Sequence, residues 1–162
     1  MSVSAQYGST LRVTETLPDA LLSSTGNKVL HNGLDSEETF NATTTVPATT
    51  VSSFNKTMSS GAATIDLRAL TGVNGAAIDG NGLKVQCAKF RNKTTNANNI
   101  TIVGGASNGF LIFGTAGTIT LPPGGEILLY LKDQSSDIDA THKTIDISGT
   151  GSQVLECLIV MG

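Results

Sequence analysis

The chain has 162 residues, enough for one domain with its own core, and a formal net charge of −3 with no basic block, so it lacks the basic stripe that nucleic-acid binding uses to displace counterions. Only 14% of the residues are charged, and Gly, Thr, Ser and Asn stand where Lys and Glu usually do, which disfavours long surface helices and favours strands and turns. No apolar run approaches the roughly 20 residues of a membrane span.

In chain order, residues 1–9 are small and polar apart from Val3 and Tyr7, and read as an N-terminal arm ahead of a single domain over 10–162. Tyr7 would anchor such an arm on a neighbour. Thr10–Thr16 alternates, with Leu11 and Val13 opposite Arg12 and Thr14, and predicts a strand. Leu17–Leu22 reads as one helical turn opened by Pro18. Gly26-Asn27 and Asn32-Gly33 are turn signals on either side of a short strand, Lys28–His31. Residues 35–60 are rich in Thr and Val, but Pro47 excludes a central strand there; one or two edge strands and a loop are expected. Ala63–Leu67 predicts a strand with Ile65 and Leu67 inward, followed by a Gly/Asn loop over 71–82.

The second half is better patterned. Leu83–Arg91 predicts a strand with Leu83, Val85 and Cys87 on one face; Phe90 has the opposite parity, so a bulge is expected near Ala88. Strands are expected at Ile100–Val103 and Phe110–Phe113. Gly117–Lys132 reads as a hairpin around Pro122-Pro123-Gly124-Gly125. Pro123 fixes φ at the second position of its turn, and Gly124 supplies the positive φ that a type II turn needs next. Its second strand is apolar on Ile127, Leu129 and Leu131, and half apolar on the other face through Leu128 and Tyr130, so something must cover that face. After an acidic loop at 133–142, Lys143–Ile147 and Gln153–Met161 predict the last strands; the final one places Leu155, Cys157 and Ile159 inward and Leu158 and Val160 outward. These elements predict an all-β, single-domain β-sandwich or jelly roll of about eight to ten short antiparallel strands.

The pattern offers little chemistry. Gly105-Ala106-Ser107-Asn108-Gly109 fits G-x-S-x-G, but strand sequence follows it where a hydrolase elbow needs a helix, so Ser107 reads as part of a loop, despite His142 downstream. Asp133, Asp137 and Asp139 share one loop and could offer oxygen ligands to Ca²⁺, without EF-hand spacing; Asp79-Gly80-Asn81 is a similar short hint. His31 and His142 read as surface or hydrogen-bonded residues rather than ligands. Cys87 and Cys157 both read as inward, either as free buried thiols or as a pair bridging neighbouring strands. Four N-x-[ST] triplets, at Asn41, Asn55, Asn92 and Asn99, read as chance matches. The chain has no Trp, and Phe90, Phe110 and Phe113 read as core rather than as stacking platforms for sugar. No cofactor, metal or catalytic residue is therefore expected.

From Ile65 to Gly162, the strand LKVQCAKFRNKTTNANNITIVGGASNGF, the PPGGE turn, the apolar strand after it, the Thr-Ile-Asp strand and the closing apolar strand together resemble small structural proteins of tailed bacteriophages. Capsid decoration (cement) proteins are the most similar variety. The resemblance implies a virion component that binds the outer capsid surface and stabilises the head, with the major capsid protein and its own copies, as a homotrimer, for partners. It assigns no catalytic residue. Leu128, Tyr130, Leu158 and Val160 are the expected oligomer interface, and Val3, Tyr7 and Arg12 the expected capsid contacts of the arm. The alternative is a phage tail, fibre or host-surface (carbohydrate) binding protein. The opening MSVSAQYGSTLRV has no charged segment ahead of an apolar one, so synthesis in the host cytoplasm is expected. A Thr/Asn/Gly-rich, extracellular make-up is then reconciled with that origin by release inside a particle at lysis.

Overall fold

The computed structural model describes residues 2–17 and 27–162. Among them the chain is all-β. The strands are β1 (Ser4–Ser9), β2 (Val13–Leu17), β3 (Asn27–His31), β4 (Ser36–Asn41), β5 (Thr50–Thr57), β6 (Ala62–Asp66), β7 (Leu70–Thr71), β8 (Ala77–Ile78), β9 (Val85–Asn92), β10 (Ile100–Gly104), β11 (Thr118–Leu121), β12 (Glu126–Tyr130), β13 (Thr144–Ser148) and β14 (Val154–Met161). The predicted helical turn at Leu17–Leu22 falls, beyond Leu17, outside the described residues, as does Gly26.

The chain divides into two compact units, one of residues 1–5 and 40–162, the other of residues 6–39. The larger unit is a β-sandwich. One four-stranded sheet runs β12-β9-β14-β5 and the other β11-β10-β13-β6, every neighbour antiparallel. The eight strands pair as nested couples: β5 with β14, β6 with β13, β9 with β12, and β10 with β11. Between the sheets lies one core. Sheet β12-β9-β14-β5 supplies Ala88, Phe90, Leu155, Cys157 and Ile159; the other supplies Ile65, Ile100, Ile102, Leu121, Ile145 and Ile147. Period-two alternation produces this, because each strand places every second residue on the inner face.

The smaller unit holds β2 paired with β3, from Val13↔His31 to Leu17↔Asn27, and most of the β1-β4 ribbon. β1 ends at Ser9, and the sandwich unit resumes at Phe40.

Three predicted elements are corrected. Gly117–Lys132 is not a hairpin. Its turn has the expected form, with Gly124 at φ 76° and the Gly125 N–H donating to the Pro122 carbonyl at 2.8 Å. But β11 pairs with β10 in one sheet and β12 with β9 in the other, so the turn carries the chain across the sandwich. Pro122 and Pro123 lack the N–H groups that a continuing ladder needs, and both flanking strands have an apolar face to bury in the same core. Phe110–Phe113 is not a strand. Phe110 and Ile112 are buried, but successive turns close through Ile112 N–H to Phe110 O and Gly114 N–H to Leu111 O. Finally, the bulge on β9 sits at Gln86, where Val160 pairs with Cys87 but Met161 with Val85, rather than near Ala88. The extra residue turns Cys87 to the outer face of its sheet, while Cys157 faces the core. The two thiols are free, and they lie on opposite sides of the sheet.

Candidate functional site

The outer face of sheet β12-β9-β14-β5 is built from three cross-strand rows. The register aligns Tyr130, Cys87, Val160 and Val51; then Leu128, Lys89, Leu158 and Ser53; then Glu126, Arg91, Glu156 and Asn55. Strands lie about 4.8 Å apart, so Leu128 and Leu158, two strands apart, are separated by roughly 10 Å with the Lys89 stem between them. All four residues expected at an interface are therefore brought onto one face.

They are not equally open. Leu128 and Leu158 are 39% and 41% exposed, whereas Val160 is 6% exposed. The buried Phe40 ring stands 5.6 Å from the Tyr130 ring, and the Lys132 ammonium lies 5.8 Å from the Tyr130 centroid. What holds Phe40 there is the turn after it. The Asn41 side chain accepts from the Thr43 N–H and hydroxyl, each at 2.8 Å, and its carbonyl accepts from the Ala48 N–H at 3.0 Å. Thr49 then ties the segment to the Met161 carbonyl at 2.9 Å. Within the first row Phe40 packs on Tyr130 and Val160 is buried, while Val51 on the edge strand is 37% exposed, about as open as the Leu128–Leu158 row.

The charges of the face pair with one another, within and between rows. Lys89 Nζ lies 3.0 Å from Glu126 Oε1, and Arg91 Nε 2.5 Å from Glu156 Oε2. The hydrogen bond to Glu156 raises the Arg91 pKa further above its ordinary value. These exposed pairs contribute little to stability; they fix the position of charge on the face. Between the last two rows lies a shallow depression of about 340 Å³ lined by Ser53, Asn55, Lys89, Arg91, Glu156 and Leu158.

The other residues singled out in the sequence are dispersed. Val3 and Tyr7 are half-buried, on or beside β1, and exposed Arg12 pairs with Asp35 at 3.5 Å. Ser107 lies in the turn before Phe110, its carbonyl accepting from the Thr144 hydroxyl. Asp137 pairs with Lys84 at 3.2 Å. Asp139 accepts from the Thr141 N–H and hydroxyl and from His142, contacts that hold its carboxyl well below the usual range. Asp79 closes a turn onto the Asn81 N–H at 2.9 Å. Among the described residues no three His, Cys, Asp or Glu side chains gather as a metal site.

Sequence reasoning missed Asn92. It is fully buried, donating to the Asn98 and Leu121 carbonyls at 3.0 and 2.8 Å and accepting from Asn96 at 2.6 Å. It also missed that the outer face is laced by opposite charges, although Lys89 and Arg91 share a parity with each other, as do Glu126 and Leu128.

No protein-family model matches this chain, and no curated relative matches it. Among solved structures, it is similar to a protein of Bacillus endospore appendages, described as a family of disulfide-linked pili. The two share 17% identity over 69% of this chain and 83% of that one, with a TM-score of 0.41.

Proposed function

We propose that this chain is a structural protein of a tailed-bacteriophage particle, a decoration protein that sits on the outer capsid surface as a homotrimer and cements neighbouring capsomers. The observation that carries the reading is the outer face of β12-β9-β14-β5, where Leu128 and Leu158 stay open beside a fixed pattern of charges. Burying such a row between copies adds contact area at capsomer boundaries and raises the barrier to disassembly. The nested strand pairing we read as a jelly roll, in which a long four-couple hairpin is rolled into two sheets.

The test is the copy number of the chain in purified particles. Hundreds per particle support decoration; a dozen or fewer move the chain to the tail or a vertex; absence overturns the virion reading. A second reading, a tail or fibre protein that binds host-surface carbohydrate, is favoured by the polar lining of the depression around Asn55, Arg91 and Glu156. Glycan binding lost in Arg91→Ala would support it over decoration.

A further inference from the structure

The unit of residues 6–39 has almost nothing inside it. Of its described side chains none is buried, and Leu34 and Leu11 are 84% and 69% exposed. A two-stranded ribbon of this kind is marginal in water unless its apolar face is covered. That face is specific. Leu11, Val13 and Leu34 gather with His31 around a crevice of about 120 Å³, and His31 Nε2 reaches Glu15 Oε2 at 3.1 Å beside Val29.

Charge is divided unevenly too. Residues 6–39 hold five acidic side chains (Glu15, Asp19, Asp35, Glu37, Glu38) and two basic ones (Arg12, Lys28). Their balance of −3 is the formal net charge of the whole chain. On the outer face of β12-β9-β14-β5 the pairs Lys89–Glu126 and Arg91–Glu156 balance each other, and Lys132 beside Tyr130 leaves a single surplus positive charge.

We propose that residues 6–39 of one copy dock on the outer sheet face of a second copy. Leu11, Val13 and Leu34 would cover Leu128 and Leu158, with the ribbon's carboxylates turned toward Lys132. The partner is a second copy because every chain presents one uncovered acidic apolar ribbon and one open apolar face with a surplus positive charge. A head-to-tail arrangement that closes as a ring satisfies both in each copy. The inference rests on the proposed reading only in taking this face as a contact between copies; where the assembly sits is a separate matter, tested by copy number.

The experiment uses the full chain and two double variants. Leu11→Asp with Leu34→Asp disables the ribbon, and Leu128→Asp with Leu158→Asp disables the face; all four positions are exposed, so folding is expected to survive, checked by circular dichroism. By light scattering the unaltered chain is expected to be oligomeric and each variant monomeric. Mixed, the two variants are expected to form a one-to-one complex, since one retains its ribbon and the other its face. An unaltered chain that is monomeric, a variant that stays oligomeric, or a mixture that does not associate overturns the proposal. Lys132→Glu gives an independent measure: a roughly tenfold weaker association is expected, and an unchanged one counts against it.

Discussion

Single atoms decide several features of this protein. A Cβ added at Gly105 would lie 2.0 Å from the Thr144 hydroxyl oxygen and 2.7 Å from its Cβ, so β13 would have to move. A Cβ at Gly124 would meet only Thr94 Cγ2, at 3.4 Å, and the cost there is conformational, from φ 76°. Gly124→Ala is therefore expected to lower stability by about 1 kcal/mol, and Gly105→Ala by about 2–3 kcal/mol, read from urea midpoints. Equal costs would mean that the Gly105 turn relaxes freely. Burial pushes the Cys87 thiol up to about 11, and burial, opposed by the Lys56 charge and aided by Glu156, pushes Cys157 up to about 12. Both are expected to resist a thiol reagent in the folded protein and to react on unfolding. The folded state holds these protons more tightly than the unfolded chain. Their contribution to stability is thus intact below the unfolded thiol range, near 8.5, and is lost as pH rises through 11–12. A denaturation midpoint flat up to pH 11 would contradict this.

At the scale of elements, Asn92 joins three of them. Its amide holds the loop after β9 and the end of β11, and its backbone exchanges hydrogen bonds with Gly124 and Gly125 of the crossing turn. Asn96 extends the network to both backbone groups of Val154. Asn92→Ala strips partners from buried carbonyls and is expected to cost about 1–3 kcal/mol, with Asn92→Asp no better, because an acid has no amide to donate. Calorimetry on the two variants would check this. Most strands were legible in the sequence because alternation survives wherever one face is wet; β6, β10, β13 and β14 lie within a residue or so of their predicted spans. Pairing was not legible. Nothing in Thr118–Leu121 and Glu126–Tyr130 distinguishes a hairpin from two strands in facing sheets, since either buries the same alternate residues. Cys87 was misassigned because the parity change between Val85 and Phe90 was visible but not its position, and one residue decides the side. Phe110 and Ile112 are buried with strand-like spacing, yet Gly109 and Gly114 let that segment turn instead. The candidate site was half legible. Leu128, Tyr130, Leu158 and Val160 do share a face, but the cover over Tyr130 comes from Phe40, about ninety residues away in a stretch with no readable pattern.

For the whole molecule, the division into units has a direct test. Every residue of the inter-sheet core lies at or beyond Phe54. A chain beginning at Phe40 is therefore expected to keep a single cooperative unfolding transition with only a small shift in midpoint, measured by calorimetry. A broad, non-cooperative melt would show that residues 1–39 contribute to the core. The nested pairing sets the folding rate as well. Couples such as β5 with β14 join distant stretches of chain, so refolding is expected on the millisecond-to-second scale of sandwich topologies rather than in microseconds, by stopped-flow fluorescence of an introduced Trp. The same arrangement bears on biosynthesis. β14 leaves the ribosome after every other strand, yet it lies in the interior of its sheet with β9 on one side and β5 on the other. Until it arrives, those two have no common neighbour and their ladder edges stay unsatisfied. A nascent chain is thus kept from closing early, and one halted before Gln153 leaves two open edges for chaperones or proteases to find.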